Sequence, residues 1–323
     1  MQYKEIGGYF GLELVKGQEY HKGAIRLNSG RNCFKYILIA QRPLKVYLPY
    51  YMDNALKEEK ILDLGIPFEY YHINSNFEIS NKLNVRKGEK LLYINYFGLK
   101  DEYVNNLVSQ YGDRMIVDNT QAFFSRRIPG IDYFYSVGGK FFGVPRGGYL
   151  YTSHKMENRF EYDCTINESN HLIGRIDKSA SYSYGFYKDA LKNRGNLDIK
   201  KMSKFVVAVL SSIDYERIRI IRERNFLYLH CLLAPYNRLH LEINAIRGPM
   251  AYPFLIEHER LRSKLIEHKI YVPIFWEDVL NSKGPSKFEK YLAKYLLPLP
   301  IDQRYSSADM LRIYNTIIDG VKG

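Results

Sequence analysis

The stretch Arg114–Thr152, RMIVDNTQAFFSRRIPGIDYFYSVGGKFFGVPRGGYLYT, decides how the chain is read. Met115–Val117 is an apolar strand that closes on a carboxylate, Asp118, and a polar turn with Gln121 follows. Tyr133–Tyr135 reads as a second, aromatic strand running into Ser136. A glycine pair, Lys140, and a second pair, Gly147–Gly148, come next, and the last opens another strand. A carboxylate and a lysine are therefore each set just past the end of a buried strand. In α/β sheets, ligands collect outside the carboxyl ends of the strands.

Singly, neither residue means much. A lone lysine is usually a solvated surface cation, and an aspartate at a strand end is usually a turn or cap residue. Together they suit pyridoxal 5'-phosphate, whose aldehyde takes a lysine amine and whose ring nitrogen needs an anionic partner to stay protonated. On that reading Asp118 faces the ring nitrogen. Lys140, partly desolvated near a positive ring, has a lowered pKa and serves as nucleophile and then proton shuttle.

The longer string resembles the signature of the DegT/StrS sugar aminotransferases, a branch of the aspartate-aminotransferase fold. Asp118-Asn-Thr-Gln121 matches the family's Asp-x-x-Gln, and Lys140 with Arg146-Gly147-Gly148 matches its Lys and Glu-Gly-Gly, with arginine in place of glutamate. Ser29-Gly30-Arg31-Asn32-Cys33-Phe34 is similar to the Ser-Gly-Thr-x-Ala-Leu turn on which the family seats the cofactor phosphate; Arg31 stands where the family has threonine. The resemblance implies that Lys140 holds the cofactor, that Gln121 lies against its ring or phenolic oxygen, and that Gly30, Arg31, Asn32 and Ser136 hold the phosphate. Ser136 precedes the lysine by four residues where the family has five, so Tyr135 is the alternative in register. The family presents an aromatic ring from the loop at Pro49-Tyr50-Tyr51-Met52-Asp53; an ungapped count lands on Asp53, and Tyr51 is taken as the stacking ring, with plain packing the other reading. Lys200-Lys201-Met202-Ser203 resembles the helix start at the family's dimer interface, with Ile199 where the family has asparagine and Asn196 three residues earlier. A homodimer is implied.

Composition sets the frame. With 323 residues the chain has room for one large and one smaller domain. Hydrophobic residues make up 46 % and charged residues 25 %, as in an ordinary globular protein. No apolar run approaches the ~20 residues that span a bilayer, and MQYKEIGGYFGLEL does not read as a secretory signal. Three scattered cysteines, Cys33, Cys164 and Cys231, form no metal or disulfide framework, so a reduced cytoplasm is expected. The net charge of +12 comes from dispersed basic residues. The densest run, RIRIIRER at 217–224, reads as a solvated helix, and no nucleic-acid-binding signature accompanies it.

Along the chain, Ser29 is a natural N-cap for an apolar helix with Phe34, Ile37 and Leu38, which would turn free N–H groups outward as an anion seat. Strands are expected at Lys45–Leu48, Phe68–Tyr71 and Lys90–Asn95, and helices at Met52–Lys60, Asp101–Tyr111, Ala180–Lys192 and from Lys200 to about His230. Strands Met250–Ile256 and Ile270–Phe275 with helices Glu259–His268 and Ser306–Ile317 complete the C-terminal part. The expected architecture is α/β: a mostly parallel, seven-stranded-type sheet flanked by helices in residues 1–230, and a smaller α+β domain in 231–323.

The function implied is transfer of an amino group from an amino acid, glutamate first, to a keto-sugar carried on a nucleotide, for surface polysaccharide or related amino-sugar biosynthesis. Partners would be these small molecules, with no nucleic acid or membrane. Other chemistry on the same cofactor, or a non-catalytic binding or sensor protein on the same fold, are the alternatives.

Overall fold

The computed structural model describes residues 6–53, 64–157, 159–192 and 198–322. Seven strands form one sheet: β1 (Ile25–Leu27), β2 (Val46–Pro49), β3 (Phe68–Tyr71), β4 (Lys90–Ile94), β5 (Met115–Asp118), β6 (Asp132–Ser136) and β7 (Gly148–Tyr151). Their spatial order is β1-β7-β6-β5-β4-β2-β3. The pairings from β3 through β6 are parallel, and β7 runs antiparallel to both β6 and β1. Parallel strands covered on both faces are apolar without alternation, and β2, β4 and β5 are accordingly buried almost throughout. This is the mostly parallel sheet expected. The segment before Asn28, read only as leading into a turn, forms the edge strand β1.

Helix α1 (Gly30–Gln41) covers the sheet where β6 and β7 meet. Ser29 is its N-cap, in extended backbone with its side-chain oxygen accepting from the Asn32 N–H. Cys33, Phe34, Ile37 and Leu38 recur at helical spacing and are fully buried. Phe34 stacks on Phe134 of β6 at 5.8 Å between ring centroids, a burial that stabilises by about 1.5–3 kcal/mol. The helix start sits so close to β7 that a Cβ on Gly148 would lie 2.7 Å from the Ser29 carbonyl and 2.8 Å from Cys33 Sγ. A side chain there would push α1 off the sheet.

Helix α2 (Asp101–Tyr111) lies between β4 and β5 in the chain, and beyond β7 come α3 (Asn170–Asp177), α4 (Ala180–Lys192), α5 (Lys204–Ser211) and α6 (Tyr215–Leu233). The single long helix expected from Lys200 is two. Residues Lys200–Met202 stay extended, Ser203 caps α5, and the Ser-Ser-Ile-Asp run ends it; the Asp214 side chain then caps α6 through the Arg217 N–H. Polar residues that bond to nearby N–H groups compete with helix continuation.

A second, two-stranded antiparallel sheet joins β8 (Tyr252–Leu255) to β9 (Leu296–Leu299), with α7 (Leu261–Glu267), α8 (Lys287–Tyr295) and α9 (Ser307–Lys322) around it. The strand expected at Ile270–Phe275 does not form. Pro273 has no N–H to give a ladder, and the Arg262 guanidinium takes the carbonyls of Val272 and Pro273 at 3.2 and 2.6 Å. The partner of β8 is the unforeseen β9. The helix expected at Met52–Lys60 falls mainly on 54–60, outside the described residues. Among the described residues no helix is long and apolar enough to cross a membrane.

Gly148→Ala should cost about 1–3 kcal/mol of unfolding free energy, the usual range for overpacking. Gly185→Ala, on the open surface of α4 with nothing within 4 Å of the added carbon, should be neutral or stabilise by up to ~1 kcal/mol. Urea unfolding of both variants against the parent chain checks the contrast.

Candidate active site

The carboxyl ends of β5 and β6 and the start of α1 converge on one place. Asp118, last in β5, is 2 % exposed. Its Oδ1 accepts from the Thr120 N–H at 2.8 Å, a side-chain turn that aspartate makes two residues on. Burial pushes the Asp118 carboxyl above its ordinary pKa, while the Lys140 ammonium and Thr120 pull it back down.

Lys140 comes from the turn after β6. Gly138 packs edge to edge with the returning chain, where a Cβ would meet Arg146 Cα and the Pro145 carbonyl at 2.8 Å. Gly147, at φ +152°, occupies a backbone conformation that side chains rarely adopt, and a Cβ there would meet Val137 at 2.8 Å. These glycines let the loop double back so that its lysine reaches over the strand ends. Lys140 Nζ donates to Thr120 Oγ1 at 3.0 Å. Lys140 is exposed as a residue, while enough protein surrounds its amine to perturb it. Crowding lowers the amine's pKa, Asp118 and Asp53 oppose that, and Arg31 adds to it. Thr120 thus binds Asp118 with its amide and Lys140 with its hydroxyl.

The α1 start adjoins the same threonine. A Cβ on Gly30 would lie 3.1 Å from Thr120 Cγ2 and 3.3 Å from Ser136 Cβ, so Gly30, Thr120 and Ser136 share one small cradle. The N–H groups of Gly30 and Arg31 belong to the first turn, which intrahelical bonding cannot satisfy. Arg31 reaches instead to Asp53, Nη2 to Oδ2 at 3.0 Å, with both side chains about a third to two-fifths exposed. The two positions that depart from the resembling family, a guanidinium for a hydroxyl and a carboxylate for a ring, are therefore bound to each other beside Lys140.

Three other expected residues turn elsewhere. Asn32 gives its amide to Asn28 Oδ1 and the Asp198 carbonyl at 2.8 and 2.9 Å, and its N–H to Ser29; it braces the turn from behind. Gln121 accepts the Phe97 N–H at 2.8 Å and is 2 % exposed, fixing the left-handed turn at Phe97. Tyr51 has no exposed surface, packing edge-on against Trp276 at 4.5 Å and near-parallel to Tyr96. Its ring offers no face to a ligand, which corrects its placement as the stacking ring in favour of packing. Arg146, matching the family's glutamate, is buried against Asp163 and Glu168.

Thr120 is the residue that the sequence reading passed over, although its place two residues after a strand-end aspartate is the signal of such a turn. Among the described residues no His, Cys, Asp and Glu side chains are grouped to hold a metal. A concavity of about 600 Å³ lies behind β1 among Tyr36, Phe160 and Tyr162. Its charged lining is Arg26, Lys155, Lys201 and Lys204 with no carboxylate, so it lacks the paired charges.

No family model matches the chain, and no curated protein sequence does either. Solved structures do match. A DegT DnrJ EryC1 StrS aminotransferase from Brucella abortus shares 15 % identity over 92 % of this chain and 85 % of its own, with a TM-score of 0.61. NtdA from Bacillus subtilis, solved with bound cofactor PMP, shares 15 % over 93 % and 73 %, TM-score 0.61. DesI, solved in the presence of its TDP-sugar product, shares 14 % over 91 % and 79 %, TM-score 0.62. At such identities the likeness establishes a common fold.

The fields of Arg31 and Asp53 on Lys140 have opposite signs. Asp53→Asn should lower the pH at which the amine becomes reactive, and Arg31→Thr should raise it. Competitive acetylation of the cofactor-free protein across a pH series, read by mass spectrometry at the Lys140 peptide, checks both directions.

Proposed function

We propose that the chain is a pyridoxal-phosphate-dependent aminotransferase acting on a nucleotide-linked keto-sugar, with an amino acid, glutamate first, as donor. The observation that carries this reading is the junction of Lys140 and Asp118 through Thr120 at the strand ends. The donor set fits the cofactor: an amine of lowered pKa for its aldehyde, a buried carboxylate for its ring nitrogen, and a glycine cradle beside a serine and a helix start for its phosphate. The printed names of the fold neighbours, one with PMP and one with a TDP-sugar, support the cofactor and acceptor class.

When bound, the cofactor supplies an electron sink for the carbon that carries the amino group. Asp118 would orient it by pairing with the ring nitrogen, which would give the buried carboxylate a counter-charge. The amides of Gly30 and Arg31 with Ser136 bind the phosphate, and Arg31 adds a cation at the helix's positive end. Lys140 would hold the cofactor's aldehyde, and its Nζ would be the base and acid that takes a proton from the donor's α-carbon and returns one on the acceptor side. Thr120 holds that amine in place between turnovers. Residues 1–230 would hold the cofactor and 231–323 would close over it. A homodimer in the cytoplasm completes the reading, and exposed Ile173, Ile176, Tyr182 and Tyr184 on α3 and α4 support the pairing of two copies. The sensor alternative draws on one observation, the Arg31–Asp53 pair beside the amine.

The protein with added pyridoxal phosphate should lose its yellow colour on addition of glutamate as the aminated cofactor forms. A panel of nucleotide-linked keto-sugars should restore the colour. Lys140→Ala should slow the first step by about 10²–10⁴-fold, the usual worth of a positioned acid–base group. Bound cofactor with no response to any amino donor would favour the sensor instead.

A further inference from the structure

Arg222 does not behave as a member of a solvated helix face. It lies in the stripe of α6 that runs through Phe226, Leu229 and Leu233, and it is 1 % exposed. Among the described residues its donors reach only carbonyl-type oxygens. Nη1 gives to the Pro249 and Met250 carbonyls at 3.1 Å each, and Nε gives to Gln303 Oε1 at 3.1 Å. Nη2 stands 3.4 Å from both the Lys140 and the Phe141 carbonyl oxygens, and the guanidinium lies 4.6 Å from the centroid of the Phe141 ring. The nearby carboxylate, Asp302, is engaged by Arg304 at 2.6 and 2.8 Å. Burial draws the Arg222 pKa down to about 10, so it stays charged at neutral pH. A buried charge with no carboxylate in contact among the described residues is costly, and removing it would leave five carbonyl-type oxygens without this donor.

What the cation does is visible at Gln303. A glutamine amide can face either way, but the Arg222 Nε–H demands the oxygen. The NH₂ end is thereby turned to the lysine loop, where it gives to the Phe141 carbonyl at 2.7 Å. The loop needs an outside restraint. Its sequence is Gly138-Gly139-Lys140-Phe141-Phe142-Gly143, glycines on both sides of the lysine, and glycine backbone is the least stiff.

We propose that Arg222 and Gln303 are positioning residues for Lys140, a relay in which the guanidinium fixes the glutamine amide and the amide fixes the lysine turn. The relay rests on Lys140 being the cofactor-bearing amine. It also ties that amine to the second sheet on both sides, since Pro249–Met250 lead into β8 and Gln303 follows β9. A displacement of that sheet would then be felt at the lysine.

Gln303→Glu isolates the relay: the new carboxylate can still accept from Arg222 and keep the fold, but it has no N–H for Phe141. Its thermal midpoint should stay near that of the parent chain, while the rate at which Lys140 is fixed to pyridoxal phosphate by borohydride falls about tenfold. Competitive acetylation without cofactor should show Lys140 reactivity at neutral pH changed about tenfold as well, one unit in its apparent pKa. Arg222→Met should do the same with a larger loss of stability, and Arg222→Lys should restore part of it. If folded Gln303→Glu protein labels and fixes Lys140 as the parent does, the relay is wrong. Should the parent chain fix no cofactor, the proposed function fails, and the acetylation arm still decides the relay.

Discussion

A threonine joins the two charges on which the site depends. The Thr120 amide holds Asp118 and its hydroxyl holds Lys140, at 2.8 and 3.0 Å. A carboxylate at the end of one strand and an amine from the loop after the next have no covalent reason to stay in register. With both bound to one residue, their separation is set by the length of a threonine. The surroundings serve that junction: parallel pairing sets Asp118 opposite Phe134, two residues short of the end of β6, Gly30 lets α1 press against the threonine, and paired glycines fold the lysine loop back across it.

Three arginines brace this framework. Arg146 is sunk against Asp163 and Glu168 where the loop returns to β7, Arg31 pairs with Asp53 at the mouth, and Arg222 is buried beneath the lysine turn. Each guanidinium offers donors in a rigid fork, which suits bracing several oxygens at once. Arg31 also lowers the cost of a free amine at Lys140, the form that nucleophilic chemistry requires.

How much of this the sequence disclosed depended on range. Strand ends and caps are local, and Asp118, Ser29 and the glycine pairs could be read from spacing alone. The edge strand β1 and the partner β9 were missed because pairing across the chain leaves no local trace in short apolar runs. The long helix failed on a Ser-Ser-Ile-Asp stretch whose capping chemistry was legible but outweighed by the apolar residues on either side. Tyr51 and Gln121 were placed at a ligand by resemblance, whereas packing with Trp276 and the Phe97 N–H decides where they sit. Arg222 was legible in principle, since it shares a stripe with Phe226, Leu229 and Leu233, yet its charge argued for solvent. The Arg31–Asp53 pair could be found only in three dimensions, from two departures twenty-two residues apart.

The central claim is that one particular amine, held against a buried carboxylate, is the attachment point for an aldehyde. Borohydride reduction of the protein with pyridoxal phosphate, followed by peptide mapping, tests it directly. A single modified peptide carrying Lys140, and its loss of modification in Asp118→Ala, is the expected result. Reduction spread over surface lysines, with the Lys140 peptide unmodified, would contradict it.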